Sequence, residues 1–139
     1  MPRTIVMTMW LLVLVGCSRE PYEVAPVSGR ITVDGDPLEE CRIRFQPVSS
    51  SDSINPGPGA FAVTDQDGRF TLRTINPVQP GAVVGKHRVW LTTVTEADAS
   101  SELGLITAEK VPARYHNGQL DFEVPSGGTD QANFDLTST

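Results

Sequence analysis

The chain is short of basic charge and of cysteine, and each shortage removes a class of function. Lys and Arg number 11 against 17 Asp and Glu, for a net charge of −6 at pH 7 and a pI near 4.8. No cluster of Lys and Arg forms the patch that phosphate backbones require, so a nucleic-acid partner is excluded. The acidic balance itself speaks mainly to solubility. With Cys17 and Cys41 the only cysteines, there is no disulfide framework. The two histidines, His87 and His116, lie on different elements without an identifiable third ligand, too few for a zinc site. No Gly-x-Ser-x-Gly elbow or other nucleophile motif is present.

What remains suits one small β domain. At 139 residues, 39% hydrophobic and 20% charged, the chain can bury one modest core but not two. The 12 glycines and 11 prolines are spread along the sequence, which suits short strands joined by turns and argues against long helices.

Arg3, an apolar run from Ile5 to Val15 and the end Leu14-Val15-Gly16-Cys17 have the order of a signal peptide over 1–16. The run is shorter than the roughly 20 residues of a spanning helix, and Arg19 and Glu20 close it, so a permanent transmembrane helix is the weaker reading. Leu-Val-Gly-Cys resembles the lipobox of bacterial lipoproteins, which implies that Cys17 is the lipid-attachment residue, carrying acyl chains such as palmitate. The alternative is an ordinary secretory signal with Cys17 as first mature cysteine. Several acyl chains anchor stably where a single one is marginal, and the expected partner is a membrane. Ser18 in place of aspartate favours, by resemblance to Gram-negative lipoproteins, the outer membrane. Acylation of Cys17 leaves Cys41 unpaired, and its parity with Ile43 and Phe45 reads as a small core residue.

Residues 17–26 are expected to form the acylated cysteine and a tether with little structure of its own, and 27–139 the folded domain. Val27, Gly29, Ile31 and Val33 alternate with polar residues, Asp34-Gly35-Asp36-Pro37 turns, and Cys41, Ile43 and Phe45 alternate with Arg42, Arg44 and Gln46. Those two strands are expected to pair. Residues 48–59 read as a surface loop. Around Asp65-Gln66-Asp67-Gly68, segments 59–64 and 69–74 are expected to form a hairpin with Phe61, Val63, Phe70 and Leu72 facing inward. Ile75 to Gly85 reads as a crossing loop that does not pair locally. The strongest strand, 86–95, carries His87, Val89, Leu91 and Thr93 on one face and Arg88, Trp90, Thr92 and Val94 on the other. Residues 96–118 form a long loop with a short helical turn around Ala97 to Leu103. Strands then follow around Leu120, Phe122 and Val124 and around Ala132, Phe134 and Leu136. Seven strands at this spacing suit an all-β sandwich.

Val27-x-Gly29, Gly35-x-Pro37-Leu38, Arg42-Ile43-Arg44-Phe45-x-Pro47, Thr64-Asp65-x-Asp67-Gly68-Arg69-Phe70, Gly85-Lys86-His87-Arg88-Val89 and Val111-Pro112-Ala113-Arg114-Tyr115 stand in an order that spans the mature chain, closing with Phe122-x-Val124 and Phe134-x-Leu136. Together they resemble the transthyretin-like, carboxypeptidase regulatory-like domains of bacterial lipoproteins. That resemblance implies a seven-stranded Greek-key sandwich of prealbumin-like or Ig-like type and a role that is mostly non-catalytic. His87 departs from the pattern, which more often has tyrosine or another aromatic there. The enzyme of similar fold, 5-hydroxyisourate hydrolase, ends in Tyr-Arg-Gly-Ser, whereas this chain ends Asp135-Leu136-Thr137-Ser138-Thr139.

Asp65-Gln66-Asp67-Gly68 offers two close carboxylates to a calcium ion, but a full loop needs six to eight oxygens, and turn chemistry accounts for the same residues. Trp90 with Arg88 could present a contact surface to a glycan or protein, against the alternative that Trp90 packs beneath the 96–118 loop. The expectation is therefore a lipid-anchored envelope protein with a binding or structural module, no catalytic residue, no metal and no cofactor. Its alternatives are a small hydrolase or metal-dependent enzyme using His87, His116, Arg114 and Tyr115, and an accessory subunit docking an envelope complex through an edge strand.

Overall fold

The computed structural model describes residues 21–51, 54–102 and 108–139. The expected leader 1–16, Cys17 and the first residues of the tether lie outside them, as does Leu103. The protein is all-β. Its strands are β1 (Val24–Ala25), β2 (Ser28–Val33), β3 (Asp36–Pro37), β4 (Arg42–Pro47), β5 (Ala60–Val63), β6 (Arg69–Thr71), β7 (Arg73–Thr74), β8 (Ala82–Val83), β9 (Gly85–Thr92), β10 (Leu120–Val124) and β11 (Phe134–Leu136). A four-residue helix, α1 (Glu96–Ala99), and a 3-10 turn at Ala113–Tyr115 interrupt the long loop.

One sheet runs β10-β9-β4-β5-β7; a second has β2 at its centre, with β11, β3 and β6 paired to it; β1 and β8 form a small separate ladder. Alternation decides which side of each strand is covered. Ile43 and Phe45 are buried on β4 while Arg42 and Arg44 are exposed, and His87, Val89 and Leu91 are buried on β9 while Lys86 and Arg88 are exposed. The two sheets meet through aromatic rings: Phe45 of the first lies 6.2 Å from Phe134 of the second, and Phe134 stacks on Phe70 at 6.4 Å. Covering a side chain of this size contributes about 1.5–3 kcal/mol, so this cluster is what holds the layers face to face.

Four expectations are corrected by the pairing. The strands around Ile31 and Ile43 do not pair with each other: β2 folds back on β3, whereas β4 pairs β5 and β9. The reason is the Asp34-Gly35 turn, where both residues have positive φ (51° and 90°), the geometry of a two-residue hairpin that returns the chain at once. The 59–74 hairpin is split. Asp65 N–H donates to the Arg69 carbonyl at 2.9 Å and Gly68 N–H to the Asp65 carbonyl at 2.9 Å, but β6 then pairs β2, and only β7 returns to β5. The turn is thus a corner between sheets.

Phe61 and Val63 face solvent, 46% and 51% exposed, while Ala60, Ala62 and Thr64 are buried. Every residue from Ala60 to Val63 is apolar, so a period of two fits either face. The hydroxyl of Thr64 decides it, donating to Leu38 O at 2.6 Å and accepting from Cys41 N–H at 2.9 Å inside the protein. Finally, the tether and the 75–85 segment are more ordered than expected. Val24 and Ala25 pair with Val83 and Ala82, Thr74 N–H donates to Gln79 O at 2.9 Å, and Arg73 bridges Pro80.

Candidate functional site

The outer face of the five-stranded sheet carries a groove. Register places side chains directly opposite one another: Arg44 of β4 has Trp90 of β9 on one side and Phe61 of β5 on the other, and Phe61 is followed by Arg73 of β7. The next row sets Arg42 between Thr92 and Val63. A cavity of about 730 Å³ opens on the β4 and β9 side of these rows, walled by Arg42, Arg44, Gln46 and Trp90 and ended by Glu96 and Ala97 of α1, with Phe61, Val63 and Arg73 outside its wall. This volume falls in the range of small-ligand sites, about 300–1,000 Å³.

The rim of the groove is fixed by hydrogen bonds. Thr95 caps α1, its hydroxyl accepting from Asp98 N–H at 3.1 Å while the Asp98 carboxylate accepts from Thr95 N–H at 3.0 Å, a capping box. The Glu109 carboxylate accepts from Thr92 Oγ1 at 2.5 Å, Thr93 N–H at 2.8 Å, Thr93 Oγ1 at 2.7 Å and Val111 N–H at 3.0 Å. Burial pushes its pKa up, but the hydrogen bonds from Thr92, Thr93 and Val111 together outweigh burial, and the net shift is downward. This one carboxylate pins the far end of the long loop to the end of β9.

Trp90 is half-buried. Gly118, at φ +62°, lies so close that a Cβ there would stand 2.4 Å from the indole Cε2. The long loop therefore covers one portion of the ring, and another portion walls the groove. Arg88 stands apart from the groove wall, directly across from Asp121 of β10.

The other residues singled out from sequence do not converge. His87 is 1% exposed and its Nε2–H donates to Val83 O at 2.6 Å, leaving Nδ1 buried without a partner among the described residues. Burial pulls its pKa down, against the opposing effect of the Val83 hydrogen bond. His116 turns its Nε2 to Val111 O at 2.6 Å. Arg114 reaches the Thr137 carbonyl at 2.5 Å and the Thr137 hydroxyl, and its guanidinium lies 5.0 Å over the Tyr115 ring. Each group thus binds a different backbone carbonyl. Asp65 spends its Oδ1 on the amides of Asp67 and Arg69, both at 2.9 Å. Among the described residues no group of three or more His, Cys, Asp and Glu is placed to hold a metal ion.

Cys41 is fully buried and free, and burial pushes its thiol up to about 12, which keeps it protonated and poorly nucleophilic. Cys17 lies outside the described residues. Among those residues no helix is long and apolar enough to cross a membrane.

Sequence reasoning placed Arg42 and Arg44 on the outward parity without marking them as a site, and it put Phe61 in the core. Glu109 carries little local signal, since apart from Val111 its partners, Thr93 and Thr92, are 16 and 17 residues away. The chain matches no protein-family model, no curated protein and no solved structure.

Proposed function

We propose that the protein is a lipid-anchored lipoprotein of the cell envelope, whose transthyretin-like β-sandwich acts as a non-catalytic binding or structural module. The observation that carries this reading is Leu14-Val15-Gly16-Cys17 at the end of a short apolar run preceded by Arg3. Cys17 would hold the acyl chains, and Ser18 favours the outer membrane. The arrangement of the chain agrees with such an anchor. Strand β1 starts at Val24, seven residues after Cys17, a reach of at most about 25 Å when fully extended. The sandwich would stand close to the bilayer.

The non-catalytic role is supported by the separate engagements of His87, His116 and Arg114, each satisfied by a backbone carbonyl rather than aimed into a shared cleft. The groove on the outer sheet face is the contact surface this reading would use.

Intact-mass analysis of the protein purified from the membrane fraction tests the anchor. The expected mass is that of a chain beginning at an acylated Cys17, and Cys17→Ser should move the protein to the soluble fraction. An unmodified Cys17 on a soluble secreted chain would overturn the anchor.

A further inference from the structure

We infer that the groove on β4 and β9 binds a carboxylated oligosaccharide, with Arg44 and Arg42 pairing with its carboxylates and Trp90 and Phe61 lying against its sugar rings. The inference rests on the domain being a binding module and is independent of the acylation of Cys17.

Charge is the first ground. On a chain of net charge −6, the outer face gathers Arg42, Arg44, Arg73 and Arg88. Only Arg88 has a carboxylate as its cross-strand neighbour, Asp121. Arg44 stands between Phe61 and Trp90, Arg42 between Val63 and Thr92, and Arg73 beside Phe61. Among the described residues Glu96 is the acid that lines the groove, at its α1 end, and the Glu109 carboxylate is held by Thr92 beside Arg42, so the cationic part of the groove is the Arg44 end, between Phe61 and Trp90. Guanidinium groups recognise carboxylates with paired, geometrically matched hydrogen bonds.

The second ground is the spacing of the rings. Trp90 in the groove wall and Phe61, exposed on the same sheet face just beyond that wall, flank Arg44 on the two neighbouring strands, about 9.6 Å apart at the usual strand separation. That is close to the span of two 1,4-linked pyranose rings. Aromatic faces supply rigid apolar contact area beside a polar handle, and the cover of Gly118 over part of the indole holds Trp90 in place before any ligand arrives. A simple inorganic anion would leave both rings unused.

The third ground is the kind of strand involved. An extended peptide binds by adding to a sheet edge, and a helical peptide seats an apolar face in an apolar groove. Here β4 and β9 each have a partner on both sides, so their backbone groups are taken, and the groove has two guanidiniums in its wall. A compact ligand carrying both negative charge and sugar rings fits better than either peptide form.

Titration calorimetry of the full chain in detergent, with trigalacturonate as probe and its methyl ester as uncharged counterpart, tests the assignment. Saturable binding is expected for the acid, weakening as salt is raised and falling about tenfold in Arg44→Gln and in the methyl ester. Phe61→Ser, at a solvent-exposed position, should weaken it several-fold while preserving the fold. Arg69→Gln, on the other sheet, should leave affinity unchanged. Equal affinity for acid and ester, unchanged affinity in Arg44→Gln, or no binding at millimolar probe would overturn the inference. So would tighter Arg44-dependent binding of poly-glutamate, which would assign the groove to a protein. Release of new reducing ends, lost in Arg44→Gln, would support the groove while refuting the non-catalytic module.

Discussion

Gly118 rests on the indole of Trp90, with no room for even one added carbon: a Cβ at 118 would lie 2.4 Å from Cε2 and 2.6 Å from Nε1. The contact ties the loop after the 3-10 turn to the centre of β9, and the positive φ of 62° is one that glycine adopts at no steric cost. Gly118→Ala is expected to cost about 1–3 kcal/mol through backbone strain and displacement of the ring. Trp90 is the only tryptophan after residue 16, so a red shift of its emission in a chain starting at Cys17, together with a lower Tm, checks this directly. An unchanged spectrum would show that the loop does not press on the ring.

Glu109 makes the end of β9 sensitive to acid. Its folded-state pKa lies below the ordinary value of 4.5, so the ionised form stabilises the fold above that pH, and the contribution is lost as pH falls through the folded value. Glu109→Gln should lower stability at neutral pH by about 1.5–3 kcal/mol, the size of hydrogen bonds to a charged group. It should also flatten the difference between pH 6 and pH 3 in urea melts. If wild type and variant lose stability in parallel over that range, Glu109 is not the group responsible.

His87 gives a second pH window, higher up. Burial keeps its folded pKa under the ordinary 6.5, so the unfolded chain takes up a proton first, and stability falls as pH drops below about 6.5. In His87→Phe the ring still packs on Phe45, now 5.4 Å away from the imidazole, but Val83 O loses its donor. The expected result is a loss of about 1–3 kcal/mol at pH 8 and a weaker dependence between pH 7 and pH 5. Urea midpoints at three pH values suffice to measure both.

Thr64 joins the turn at Leu38 to β4 through a hydroxyl that donates and accepts inside the protein. Thr64→Val keeps the shape and removes both bonds, leaving Cys41 N–H and Leu38 O without that partner. About 2–4 kcal/mol of destabilisation is expected from the two unsatisfied groups. Faster labelling of Cys41 by a thiol reagent should accompany it, since in the wild type that thiol is buried. Labelling at the wild-type rate would mean that the turn holds without Thr64.

Much of the fold was legible in the chain because alternation is a local property. On β4 and β9 polar and apolar residues take turns, so Ile43, Phe45, His87, Val89 and Leu91 could be assigned inward before any partner was known. The Asp65 to Arg69 turn was legible for the same reason, its Asp and Gly serving backbone geometry within five residues. Where both faces of a strand are apolar, as from Ala60 to Val63, the pattern carries no direction, and Phe61 and Val63 were misplaced.

The sequence by itself therefore determined the all-β class, the inward faces of the long strands and the expectation of an anchor at Cys17. The tertiary structure decided which strands are neighbours: that β6 leaves β5 for β2, that Arg44 falls between Phe61 and Trp90, and that Glu109 closes on Thr92 and Thr93. The physical reason is that side-chain direction follows from two adjacent residues, whereas pairing depends on which distant backbone groups satisfy one another while burying a common core.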